Sequence, residues 1–156
     1  MEDGAPDADG AGITIGIPCL NEATTVGRVV SDLRARLPAA RILVIDNGSD
    51  DDTAARAREA GAEVVCESRR GKGWAVQRMF RECRSEWLLM VDGDDTYPAE
   101  GADALIAAAG GADVVVGDRR SDDPHAFKGT HTLANRFLAW VVRRLFGSAC
   151  GDLFSG

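Results

Sequence analysis

Residues 87–95 read Trp-Leu-Leu-Met-Val-Asp-Gly-Asp-Asp, an apolar run cut off by acids around one glycine. A run this short, with no polar alternation, suits a strand buried on both faces, as in a parallel sheet. Working outward, four more runs share the pattern: Ile13-Thr-Ile-Gly-Ile17, Ile42-Leu-Val-Ile45, Glu63-Val-Val-Cys66 and Val114-Val-Val116. Helical patterns fall between and after them, near 24–37, 53–60, 73–84 and 100–109. In the first, Val26, Val29, Val30, Leu33 and Leu37 recur at three-and-four spacing, as one buried helix face requires. Strand and helix alternating at this rhythm predict an α/β fold: a doubly wound, mostly parallel sheet with right-handed crossovers and helices on both faces.

The rest of the chain sets bounds on this fold. Its 156 residues suit one domain, expected over 13–156, behind an acidic, Gly- and Ala-rich mobile tail at 1–12. The formal net charge is −7, and Glu2, Asp3, Asp7 and Asp9 supply more than half of the excess. That balance argues against nucleic acid as a partner, which calls for a basic face. No apolar run approaches the roughly 18–20 residues of a membrane span, and no signal-like segment leads the chain. Cys19, Cys66, Cys83 and Cys150 form no C-x-x-C pair, so they read as reduced thiols in a cytoplasmic protein. Oligomeric state is not legible.

Ligands of doubly wound sheets bind beyond the carboxyl ends of the strands. Here those ends carry Pro18-Cys-Leu-Asn-Glu22, Asp46-Asn-Gly-Ser-Asp50, Asp92-Gly-Asp-Asp95 and Gly117-Asp-Arg-Arg120. Carboxylates gathered on one rim repel unless a cation or donor offsets them. Asp92 and Asp94, one residue apart, suit a shared Mg²⁺ or Mn²⁺, which take one or two carboxylates plus phosphate oxygens and water.

Six segments in order resemble family 2 glycosyltransferases of the GT-A fold, most closely the polyprenyl-phosphate (dolichol-phosphate mannose synthase-like) branch. They are Ile17-Pro-Cys-Leu-Asn-Glu22, Val44-Ile-Asp-Asn-Gly-Ser-Asp-Asp51, Gly71-Lys-Gly73, Met90-Val-Asp-Gly-Asp-Asp-Thr-Tyr-Pro98, Val115-Val-Gly-Asp-Arg119 and Asp152-Leu-Phe-Ser-Gly156. The resemblance implies an inverting, metal-dependent transfer of a sugar from a UDP- or GDP-sugar donor to an acceptor, with a lipid phosphate at the inner membrane face as the expected acceptor. It implies that Pro18, Leu20 and Glu22 wrap the base and ribose, and that Ile45, Asp46 and Asn47 form the second nucleotide-contacting loop. Relatives often carry Asp where this chain has Asn47. Asp92, Gly93 and Asp94 match the metal and diphosphate motif, with Thr96 as a further polar ligand. Arg119 matches an arginine near the donor diphosphate or acceptor phosphate, and Lys72 lies where a phosphate contact is expected. Asp94, Arg119 and Asp152 are the catalytic candidates; Asp152 would take the proton from a sugar hydroxyl, which an already ionised lipid phosphate does not require. The last motif breaks off at Ser155-Gly156, where relatives continue with an aromatic and a basic residue, so the acceptor part is expected to be incomplete.

Other readings stand beside these. Asp46, Ser49 and Asp50 also suit a turn and helix cap, Asp50-Asp-Asp52 a solvated helix start, and Lys72 a plain loop lysine. His125 and His131 read as surface histidines. Residues 130–146 combine an apolar helical pattern with Arg136, Arg143 and Arg144, which suits core packing or a membrane-facing surface. A nucleotide-sugar-binding domain without turnover is one alternative function. The other is a haloacid-dehalogenase-like phosphatase, which shares D-x-D-x-T but places it on the first strand.

Overall fold

The computed structural model describes residues 6–117. Its sheet consists of β1 (Ile13–Cys19), β2 (Arg41–Asp46), β3 (Glu63–Cys66) and β4 (Trp87–Met90), all parallel, in the order β3-β2-β1-β4. The helices are α1 (Val26–Arg36), α2 (Thr53–Glu59), α3 (Lys72–Glu82) and α4 (Gly101–Ala108). The chain steps from β1 to β2 to β3 in one direction, then returns across β1 to reach β4. Right-handed crossovers oblige the returning helix to lie on the opposite face from α1 and α2. It does.

Alternating strand side chains go to opposite faces, and both faces are covered. Ile13, Ile15, Ile17 and Cys19 of β1, with Ile42 and Val44 of β2, pack under Val26, Val29, Val30 and Leu33 of α1, Ala57 of α2 and Ala102 of α4. Leu43 and Ile45 face the other way and meet Ala75 and Met79 of α3. Gly16 makes that second contact possible: a Cβ there would collide with the Met79 side chain, so α3 rests on bare β1 backbone. α1 ends where Pro38 follows Leu37, and Arg34 then bridges to the carbonyls of Ala40 and Gly61.

Two expectations need correcting. Val114–116 is not a strand: Val114 and Val116 are 77% and 70% exposed, and no described strand pairs with them. An isolated β-branched triplet gains nothing from extending, because a strand is stabilised by its ladder partner. The anchored chain also begins before residue 13. Gly10 N–H bonds to the Asp7 carbonyl, Ala39 N–H to the Asp9 carbonyl, and Gly10 is buried against Leu37 and Ala40. Cys19, Cys66 and Cys83 are free thiols.

Candidate donor and metal site

Strand order reverses between β1 and β4, the place where a doubly wound sheet opens a crevice at its carboxyl end. The loops after these two strands carry Leu20-Asn-Glu22 and Asp92-Gly-Asp94, and they are fastened together. Thr25 Oγ1 donates to the Gly93 carbonyl at 2.7 Å. Gly93 is buried so tightly against Glu22 Oε2 and Cys19 Sγ that any Cβ would collide with both. The D-x-D glycine is thus fixed by close approach of the neighbouring loop.

Glu22 is the electrostatic centre. Its Oε2 is buried with no hydrogen-bond partner. Burial pushes its carboxyl above the usual range, and the charges of Asp94 and Asp92 push the same way, while the Cys19 thiol and Lys72 pull it back. Burial first, then Glu22, also raises the Cys19 thiol far above the normal thiol range. Three carboxylates therefore share one field. Lys72, the first residue of α3, answers it with Nζ at 3.0 Å from Asp92 Oδ1 and 3.2 Å from Oδ2.

The D-x-D turn is internally braced. Asp94 Oδ1 accepts from Thr96 N–H at 3.0 Å and Thr96 Oγ1 at 2.7 Å, leaving Oδ2 without a partner among the described residues. Thr96 thus enters as a support for Asp94. Asp95 follows in the left-handed region at φ 62° and pairs with Arg28.

The second loop differs from its expected role. Ile45 is a core residue, wholly buried with Leu43, Ala75 and Met79, and its side chain offers nothing to a ligand. Pro18 is likewise buried within β1, whereas Leu20 is 41% exposed at the rim. Asp46 accepts the Ser49 N–H, which is the turn reading. Asn47 is buried, and its amide is engaged with the backbone of residues 67–71. Asp50, Asp51 and Asp52 are exposed directly before α2, the solvated helix start, and Asp51 also accepts from Thr53 Oγ1 and N–H and from Ala23 N–H, bonds that hold its carboxyl low. Ser49 and Thr53 accept the N–H groups of Asn21 and Glu22, and Asp50 N–H bonds to Asn21 Oδ1. Side chains of the β2–α2 loop and of Thr53, the first residue of α2, thereby satisfy three successive amides of the β1–α1 loop and hold Glu22 in place. Nothing in the spacing of these polar residues signals the lacing, since the partners lie about thirty positions apart.

A divalent cation fits this site by its chemistry. The oxygens are hard, negative charge exceeds the single nearby lysine, and one buried carboxylate oxygen is orphaned. Among the described residues, no group of three Asp, Glu, His or Cys is placed to hold a metal ion by itself. Mg²⁺ needs none, because phosphate oxygens and water fill its remaining positions. Two open depressions flank α1, around Gly27 and Arg56 and around Asp32 and Pro98, and neither includes Asp92 or Asp94. Arg119, Asp152, His125, His131, Cys150 and residues 130–146 lie outside the described residues. D-x-D-x-T follows the fourth of the described strands, which the phosphatase alternative, with its motif on the first strand, does not accommodate.

Residues 14–149 match the family described as glycosyl transferase family 2. The chain is 40% identical over 122 residues to Protein RfbJ of Shigella flexneri, covering 76% of this chain and 95% of that protein. It is 38% identical over 154 residues to the glycosyltransferase AglJ of Haloferax volcanii, covering 97% of this chain and 49% of that one. Among solved structures, glucosyl-3-phosphoglycerate synthase of Mycobacterium tuberculosis superposes with a TM-score of 0.60 at 26% identity, covering 68% of this chain and 43% of that one. The same synthase has been seen with Mn²⁺, UDP and glucosyl-3-phosphoglycerate, and with Mg²⁺ and UDP. The chain thus spans nearly all of RfbJ but about half or less of AglJ and the synthase.

Proposed function

The chain belongs to glycosyl transferase family 2, and from that membership we propose that its strand-end carboxylates bind the diphosphate of a nucleotide sugar through Mg²⁺ or Mn²⁺, for sugar transfer to a lipid-phosphate acceptor. One observation carries the reading: Glu22 packs on Gly93, the residue between Asp92 and Asp94, at the reversal point of the sheet, with Lys72 as the cation on Asp92. The mycobacterial synthase complexes with UDP and either metal support it, as does 29% identity over 137 residues to a dolichyl-phosphate hexose transferase of Haloferax volcanii.

Asp92 and Asp94 would hold the cation. When bound, it supplies positive charge to the diphosphate that leaves as the glycosidic bond breaks. Everything else falls to the chain. Thr96 fixes one oxygen of Asp94, so the other is the one presented. Gly93 lets Glu22 approach within the same field, and the lacing of residues 21–23 to Ser49, Asp51 and Thr53 keeps that approach rigid. Lys72 is placed to move from Asp92 to a phosphate oxygen when a donor arrives. Leu20 gives the rim an apolar contact for a base or ribose. An ionised phosphate oxygen as acceptor needs no strong base, and attack opposite the leaving diphosphate inverts the anomeric carbon. A membrane-bound acceptor puts the protein at the cytoplasmic membrane face.

The test is transfer of radiolabelled sugar from UDP- and GDP-sugar panels to polyprenyl phosphate in vesicles, with and without Mn²⁺ or Mg²⁺. Metal-dependent label in the lipid fraction is expected from at least one donor. Donor binding without transfer to any acceptor would favour the binding-domain reading.

A further inference from the structure

We propose that Asn47 is a positioning residue, a three-point clamp that sets Lys72 opposite Asp92. The inference rests on the diphosphate reading of the site and assigns Asn47 a task other than contact with the base. Its Nδ2 donates to the carbonyls of Glu67 at 3.1 Å and Arg69 at 2.7 Å, and its Oδ1 accepts the Gly71 N–H at 2.7 Å. The residue is only 3% exposed, so these bonds form out of competition with water. An amide has two N–H donors and a carbonyl oxygen, and here both donors and that oxygen are spent on one loop.

That loop, residues 67–71, is the whole connection between β3 and α3. The clamp grips its first, third and last residues. Gly71 caps α3 at φ 129°, a conformation that side-chain-bearing residues rarely adopt, and Lys72 follows directly with its ammonium on Asp92. Position 47 therefore controls where α3 starts, and through it where the lysine of the site lies. Aspartate at this position keeps the acceptor for Gly71 but sets a carboxylate, with no donor, against two carbonyls. The amide is what the loop requires.

The test uses the full chain and two variants, Asn47→Asp and Asn47→Ser, each checked for folding by thermal melting. Lysine occurs only at 72 and 128, so acylation of Lys72 by an amine-reactive ester, read by mass spectrometry, has Lys128 as its internal reference. Relative labelling of Lys72 should rise in both variants. UDP with Mn²⁺ is the second probe: affinity should fall about tenfold, the scale of one charge-assisted phosphate contact. Because Asn47 acts through Lys72, Asn47→Asp combined with Lys72→Ala should bind UDP no more weakly than Lys72→Ala alone. Unchanged Lys72 labelling in a folded variant, or fully additive losses in the double variant, would overturn the clamp. Wild-type protein that ignores UDP with either metal would overturn the diphosphate reading, while the labelling still decides what Asn47 does.

Discussion

Gly93 shows most plainly how single residues build this site. The sequence presents it as the spacer of an acidic triplet, yet its lack of a Cβ is what admits Glu22 and Cys19. Gly93→Ala should destabilise the fold by about 1–3 kcal/mol, as overpacking does, and weaken metal-dependent UDP binding with it. Denaturant melts and UDP titration of the same variant check both. Glu67 carries a pH signature. The Arg69 guanidinium, itself stacked 4.1 Å above the Trp74 ring, and the Arg69 N–H hold its carboxyl down from 4.5 to about 2. A depressed carboxyl contributes stability that is complete above the unfolded value and lost as pH falls through the folded one. Between pH 4.5 and about 2, therefore, wild type should lose more stability than Glu67→Gln, measured as urea midpoints across that range. Parallel losses would contradict the assignment. The D-x-D acids and Glu22 were legible as residue types. The orphaned Glu22 oxygen and the Asn47 clamp were not, since each arises from contacts between segments far apart in sequence.

Secondary-structure elements were more legible than side-chain roles. Four of the five apolar runs are strands, because each lies beside a partner that satisfies its backbone; Val114–116 has none among the described residues and stays irregular. Helix starts fall within two residues of the periodic pattern, α2 at its expected Thr53. α1 begins at Val26, two residues later than its periodicity suggests, because Glu22 to Thr25 are folded into the laced loop. The α3 face depends on Gly16, which reads in sequence as an interruption of β1. Gly16→Ala should cost about 1–3 kcal/mol by driving a methyl into Met79. Pairing it with a smaller side chain at 79 should recover part of the loss in urea unfolding. Full tolerance of Gly16→Ala alone would mean α3 does not sit as described.

At the scale of the molecule, one topological event accounts for the site. The chain winds outward through β1, β2 and β3, then crosses back to β4, so two loops distant in sequence become neighbours at one sheet edge. Ordered motifs made that arrangement legible before any coordinates, because a parallel sheet with right-handed crossovers leaves few ways to place them. What motif order does not convey is charge balance: three acids against one lysine, an excess of negative charge that a divalent cation would offset. The most direct measurement is calorimetric titration of UDP into the full chain with Mn²⁺, repeated after EDTA and with Asp92→Ala and Asp94→Ala. Saturable binding that disappears with the chelator and in both variants is the expected result. UDP binding that persists through all three changes would contradict the assignment of the cation to Asp92 and Asp94.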